Sequence, residues 1–158
     1  MRFLHTADLH LGKLMNDLPL LSDQEAILQQ IAQIACDEKA DAVLIAGDVY
    51  QRTAPQAEAM ALFDSFVSHL VQAGKKVFVI SGNHDSAPRI SYFSALVKNA
   101  GVYVTEAFGG EMQHVTLRDA DGEITVWMMP FLRPALVKRA LPEEKILSYQ
   151  DAVRAVLR

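Results

Sequence analysis

Ala42 to Ala46 is an unbroken apolar run, Ala-Val-Leu-Ile-Ala, that halts at Gly47-Asp48. A run this short and this uniformly apolar reads as a strand buried on both faces, the mark of a parallel sheet with layers on either side. Two more stretches are built alike. Arg2 to Ala7 ends at Asp8, and Lys76 to Ile80 ends at Ser81-Gly82-Asn83-His84-Asp85. Helical patterns separate these runs, so the chain alternates strand and helix. Alternation of this kind gives an α/β fold, a layered β-sheet core flanked by helices.

The intervening segments carry their own signals. Leu9 to Leu21 reads as a loop. Ser22, with Glu25 three residues later, has the form of a capping box, and Ile27, Ile31 and Ile34 recur at helical spacing up to Glu38. Pro55 opens a second helix and Gly74 closes it. A third helix is expected from about Ile90 to Asn99, with Gly101 as its stop. Val102 to Thr105 is a short strand, and His114–Arg118 and Ile124–Met129 flank Asp119 to Glu123 as a hairpin. Pro130 and Pro134 break the chain. Glu143 to Leu157 then reads as one helix with Ile146, Tyr149, Val153 and Val156 on one face, acids in its first turn and arginines in its last. The 158 residues suit one domain without repeat, linker or low-complexity tract. The sequence stops on an amphipathic helix with no turn signal, an ending that reads as a cut.

Composition narrows the partners. Apolar residues make up 51% and charged residues 22%, a globular balance, and the net charge is -4. A protein that grips nucleic acid by charge alone is usually basic. Any DNA contact here has to be local, or assisted by bound metal or a partner subunit. The single cysteine, Cys36, excludes an intrachain disulfide and reads as a small core residue. No apolar run reaches the roughly 18 residues of a membrane span, and Asp8 arrives too early for a signal peptide. A cytoplasmic location is the default expectation.

The chemistry gathers at the strand ends. Asp8-Leu9-His10, Gly47-Asp48 and Gly82-Asn83-His84-Asp85 each follow a buried run, and open α/β sheets bind ligands outside the carboxyl ends of their strands. Any one cluster alone is ordinary loop polarity; the three together point to a metal site. Asp8, His10, Asp48 and Asn83 offer carboxylate, imidazole and amide oxygen, a mixed N/O set that suits manganese, iron or zinc better than calcium. Asp48, on the middle motif, is the natural bridge between two ions, and a phosphate ester is the substrate such a pair serves best. His84 is free to hydrogen-bond the phosphate or protonate the leaving oxygen, and Asp85 stands beside it as a group to orient the imidazole. His5, His69 and His114 read as bystanders.

These motifs resemble those of the calcineurin-like metallophosphoesterase superfamily, D-x-H, G-D and G-N-H-D/E. More narrowly, the chain is similar to the family of nuclease D subunits of bacterial SbcCD complexes. That likeness rests on Leu4 to Gly12, on Gly47-Asp48-Val49-Tyr50 with Arg52 and Pro55, on Gly82 to Ser86 with Arg89, and on Pro130-Phe131-Leu132-Arg133-Pro134. The resemblance implies a manganese-dependent nuclease of DNA repair, recombination and replication, with double-strand exonuclease and single-strand or hairpin endonuclease activity. It implies two divalent metal ions, with Mn2+ as the metal: Asp8 and His10 on the first, Asp48 bridging, Asn83 on the second. His84 would contact the scissile phosphate with Asp85 in support. It also implies an SMC-like ATPase partner of the SbcC type and a homodimer formed through helices 55–73 and 90–99. Two departures stand out. Gln51 occupies a position where many relatives have an acidic or imidazole residue, and the family's three later histidines, including a G-H-x-H motif, are absent from this sequence. The expectation is a truncated domain with its second-half strands missing and a site weak or inactive by itself. Two competing readings keep the sequence but change the role: action on another phosphate ester, or a non-catalytic module that dimerises and docks DNA.

Overall fold

The computed structural model describes residues 1–158. Four parallel strands form the central sheet in the order β1-β4-β5-β6: β1 (Phe3–Thr6), β4 (Ala42–Ala46), β5 (Lys76–Ile80) and β6 (Val102–Val104). A two-stranded hairpin, β2 (Leu14–Met15) and β3 (Leu18–Pro19), occupies the region read as loop. Helix α1 (Leu21–Asp37) connects β1 to β4, α2 (Ala57–Gln72) connects β4 to β5, and short helices α3 (Ala87–Ile90) and α4 (Ser94–Val97) with a 3-10 turn lead to β6. The hairpin β7 (Gln113–Asp119) and β8 (Gly122–Met128) follows, then α5 (Pro134–Ala140) and α6 (Tyr149–Val156). None of the helices is long and apolar enough to cross a membrane.

The strand order explains the layering. The four strands run in sequence order across the sheet, and right-handed crossovers made in one direction put their helices on one face. Side chains alternate between the two faces of each strand. Val43, Ile45, Val77 and Val79 therefore pack with Leu28, Ala32, Ala35, Phe66 and Leu70 of the helices. Ala42 and Phe78 point the other way, onto Leu117 and Met128 of the β7–β8 hairpin. The strongly apolar character of β4 and β5 is thus a response to being covered twice. A third, smaller cluster of Leu132, Val137, Ile146 and Ala152 holds α5 and α6 together.

Several expectations are corrected. The capping box at Ser22 does not form, because α1 starts a residue earlier with Leu20 at its N-cap and no side-chain cap. Its buried face is Leu28, Ala32 and Ala35; Ile27 and Ile34 are 52% and 50% exposed. The alanines let α1 approach its neighbours closely, and that rotates the larger isoleucines onto the flank. Cys36 is half-buried rather than core. The helix expected over 90–99 is broken into two single turns, and Tyr92, Phe93 and Leu96 stand exposed. The C-terminal helix is shorter than expected, and a separate helix precedes it. Pro134 sits in the first turn of α5 rather than ending anything, and α6 begins only at Tyr149, where the Ser148 side chain accepts from the Asp151 amide. Glu143 and Glu144 are not helical, and Ile146 is buried from an irregular segment.

This packing predicts a contrast along one helix. Leu28→Ala removes a side chain that is 3% exposed and should cost about 2–5 kcal/mol. Ile27→Ala, one residue away but exposed, should stay within about 0.5 kcal/mol. Urea midpoints at constant m-value measure both.

Candidate metal centre

Register brings the motifs together. Ile45 lies opposite Thr6 and Val79, and Ala46 lies opposite Ile80. The three strands therefore finish level, and the residues after them emerge side by side. The pairing continues into the loops: the Asp8 amide donates to the Gly47 carbonyl at 3.1 Å, His10 to Asp48 at 2.9 Å and Leu11 to Val49 at 2.9 Å.

Two glycines let the loops close. Gly47 has φ +85°, and a Cβ there would lie 3.0 Å from the Cα of Gly82. A Cβ on Gly82 would meet the Asp48 Oδ1 at 2.0 Å and its amide nitrogen at 2.3 Å. Only glycine fits either position. Asp8, His10 and Asp48 themselves have left-handed φ of 56°, 45° and 50°. Such strain costs on the order of 1–3 kcal/mol per residue and persists only where surrounding structure enforces it. Gln24 of α1 supplies part of that enforcement: its amide nitrogen donates to the carbonyls of Leu9 (3.0 Å) and His10 (2.8 Å), and its oxygen accepts from the Gly12 amide at 3.0 Å.

The Asp85 carboxylate, 4% exposed, accepts from the amides of Gly82 (2.9 Å), Tyr50 (3.0 Å) and Val49 (3.1 Å). This ties the loop after β4 to the loop after β5. It also corrects the expected role of Asp85, because both oxygens face backbone rather than the His84 ring. His84 is oriented instead by the Gln51 carbonyl, 3.0 Å from Nδ1. A carbonyl only accepts, so Nδ1 carries the proton and Nε2 is left free to act. Burial, and after it the nearby Asp85 carboxylate, pushes the Tyr50 hydroxyl up to about 12.

The metal-ligating atoms of His10, Asp48 and His84 lie within 4.8 Å of one another. The His10 Nε2 stands 3.6 Å from Asp8 Oδ1 and 3.8 Å from Asp48 Oδ2. Both separations are too long for hydrogen bonds and match donors arranged round an ion at about 2.0–2.2 Å from each. His10 Nδ1 is buried without a partner, so no hydrogen bond of the protein accounts for the ring's placement. The rings of His10 and His84 meet edge to face at 4.9 Å. Asp48 is nearly buried, yet its Oδ1 receives only the His84 amide, at 3.0 Å. Together these donors fit a divalent metal ion.

Not every expected residue joins the cluster. Asp8 lies at its rim with a side chain 70% exposed. Asn83 is exposed, and its main-chain carbonyl accepts from Arg133 Nη2 at 3.4 Å. His84 sits as close as the ligands do, where the sequence reading kept it off the metal. His5 and His69 are exposed, and His114 is also exposed and packs on Trp127 at 4.4 Å. Gln24 and the Gln51 carbonyl were missed, since neither a glutamine in the first turn of a helix nor a main-chain oxygen carries any sequence signal.

A buried parallel sheet with aspartates and histidines converging at its carboxyl edge defines a metal-dependent phosphoesterase architecture. The chain matches the calcineurin-like phosphoesterase family over residues 1–146 and belongs to it. It is similar to the D subunit of the SbcCD nuclease of Staphylococcus epidermidis, 32% identical over 158 residues, which cover 99% of this chain and 41% of that protein. The protein of the same name in Bacillus subtilis is 34% identical over 151 residues, 93% of this chain and 39% of that one. That of Rhodobacter capsulatus is 35% identical over 146 residues, 85% and 36%. The chain thus spans well under half the length of the curated relatives it matches.

Two outcomes follow from the geometry. Asp85→Ala strands three amides around a buried space, each costing about 1–3 kcal/mol, and should lower the urea midpoint by the equivalent of at least about 3 kcal/mol. Tyr50 predicts a pH dependence. Its folded pKa lies above the unfolded value, so the folded state holds its proton longer, and stability present below about pH 10 declines as pH rises toward 12. Tyr50→Phe should flatten that decline in denaturation curves taken across pH 9–12.

Proposed function

We propose that this chain carries part of the catalytic site of a DNA nuclease subunit of the SbcCD D type, hydrolysing phosphodiesters with two divalent ions, Mn2+ as the preferred metal. The observation that carries the reading is the convergence of His10, Asp48 and His84 within 4.8 Å at the end of the parallel sheet. In this reading Asp8 and His10 would hold one ion and Asn83, through its amide oxygen, the second, with Asp48 serving both.

Bound divalent ions would lower the pKa of a shared water and neutralise charge on the phosphate. The chain's own groups do the rest. The Gln51 carbonyl holds the His84 Nδ1 proton, which aims Nε2 outward; with the ring doubly protonated, as imidazolium, Nε2–H would donate to a phosphate oxygen or protonate the leaving oxygen. The buried Asp48 and its hydrogen bond to the His84 amide keep imidazole and carboxylate at a fixed spacing. Asp85 contributes by fixing the loops, as a positioning residue.

The relatives are named as subunits of SbcCD. By that likeness the partners proposed are DNA and an SMC-like ATPase of the SbcC type, with a second copy of the chain as a further partner. The net charge of -4 favours a division of labour in which the ATPase supplies much of the DNA affinity. With no later histidine motif in this sequence, the two ions have few protein ligands here, and weak activity is expected of the chain by itself.

The test is cleavage of end-labelled duplex and hairpin DNA in manganese. Cutting that His84→Ala lowers by about 10²–10⁴ supports the reading. Hydrolysis of bis-p-nitrophenyl phosphate without any cutting of DNA points to another phosphate ester, and manganese binding without hydrolysis of either overturns the catalytic assignment for this chain.

A further inference from the structure

A cleft of about 530 Å³ opens beside the metal centre, between the loop after β5 and the segment leading into α5. One wall is Ser81, Gly82 and Ser86; the other is Phe131, Arg133 and Leu136, with Phe108 between them. The second wall is anchored. The Phe131 amide donates to the Ser81 carbonyl at 2.8 Å, and Leu132 and Val137 beneath it are 5% and 0% exposed. The cleft touches the metal centre at Gly82, which packs on Asp48.

Its charge identifies the class of occupant. Two charged residues line it, Asp85 and Arg133. Both Asp85 oxygens are committed to backbone amides. Arg133 is exposed and makes one long hydrogen bond, to the Asn83 carbonyl at 3.4 Å. The available charge is therefore a single cation at the edge of the metal loop. The uncharged lining sets the hydroxyls of Thr53, Ser81 and Ser86 against an apolar wall of Phe108, Phe131 and Leu136, with Phe131 stacked at a tilt on Tyr149 at 5.7 Å. A neighbouring cleft of about 570 Å³ is lined by Glu106 and Glu111, with no basic residue, and repels anions.

A group with one anionic end and a flat, largely apolar body matches this lining. We infer that the cleft is a nucleotide subsite: Arg133 takes a phosphate of the strand being cut, and the wall of Phe131, Leu136 and Phe108 takes the adjoining nucleoside. This rests on the phosphodiesterase reading and gives it a substrate preference, for nucleotides over simple phosphate esters. Clefts of roughly 300–1,000 Å³ are the usual size for a small ligand, and an arginine fork matches phosphate geometry.

Binding, not turnover, tests it, so its failure is separable from failure of the nuclease reading. Thymidine 5′-monophosphate and inorganic phosphate would each be titrated into the protein with magnesium present, by calorimetry. The expected result is thymidine monophosphate binding about tenfold or more tighter than phosphate, a difference of about 1.4 kcal/mol. Leu136→Trp, which fills the cleft, should bring the two ligands within about twofold, and Arg133→Ala should weaken both, with partial recovery in Arg133→Lys. Circular dichroism checks that the variants fold. Equal affinity for the two ligands in the wild type, no binding of either, or a preference that survives Leu136→Trp would each overturn the subsite.

Discussion

A buried carboxylate that meets three backbone amides holds the structure's working end together. Asp85 reaches from the loop after β5 to Val49 and Tyr50 beyond β4 and back to Gly82. Those amides have no other acceptor in the structure, and an unpaired buried N–H is costly. The interaction has two consequences. It forces the loops into contact, so that Gly47 and Gly82 must lack side chains. It also fixes Asp48 and His84, which flank the junction, at the spacing the chemistry requires. The neighbouring Tyr50 hydroxyl is raised first by its own burial and further by this buried charge.

Around that junction the sheet sets the scale. Parallel strands that finish level deliver their next residues to one line, and a crossover pattern in one direction leaves the opposite face free for the β7–β8 hairpin. The local backbone is strained at Asp8, His10 and Asp48. That strain sits where Gln24 and the extended β1–β4 pairing hold it from both sides. Rigidity in the apolar core is thereby converted into fixed positions for three polar side chains.

Legibility from sequence followed the physics of each signal. The strands β4 and β5 were readable to the residue, because double burial leaves no room for polar alternation. Their polar termini were readable for the same reason: Asp48 and His84 are conspicuous only against the apolar runs before them. Helix faces were less readable. The isoleucines of α1 advertise a buried stripe, but the alanines at 32 and 35 decide the approach of the helix, and small residues carry little signal. The segment 90–99 has helical spacing but pairs its aromatic residues outward, so tertiary context overrode propensity. The role of Asp85 was misassigned because adjacency in sequence suggested a His84 partner, whereas the competing backbone amides come from residues 35 and 36 positions away.

The central claim is that His10 and Asp48, with Asp8 at the rim and His84 beside them, form a preset metal centre rather than loop polarity. Titration of manganese, followed by loss of the free-ion electron paramagnetic resonance signal, tests it most directly, on the wild type and on Asp48→Asn. The account predicts at least one bound ion per chain, with affinity lowered about 10–100-fold or more by the substitution while circular dichroism stays unchanged. Equal binding by the two proteins, or no binding by the wild type, would contradict it.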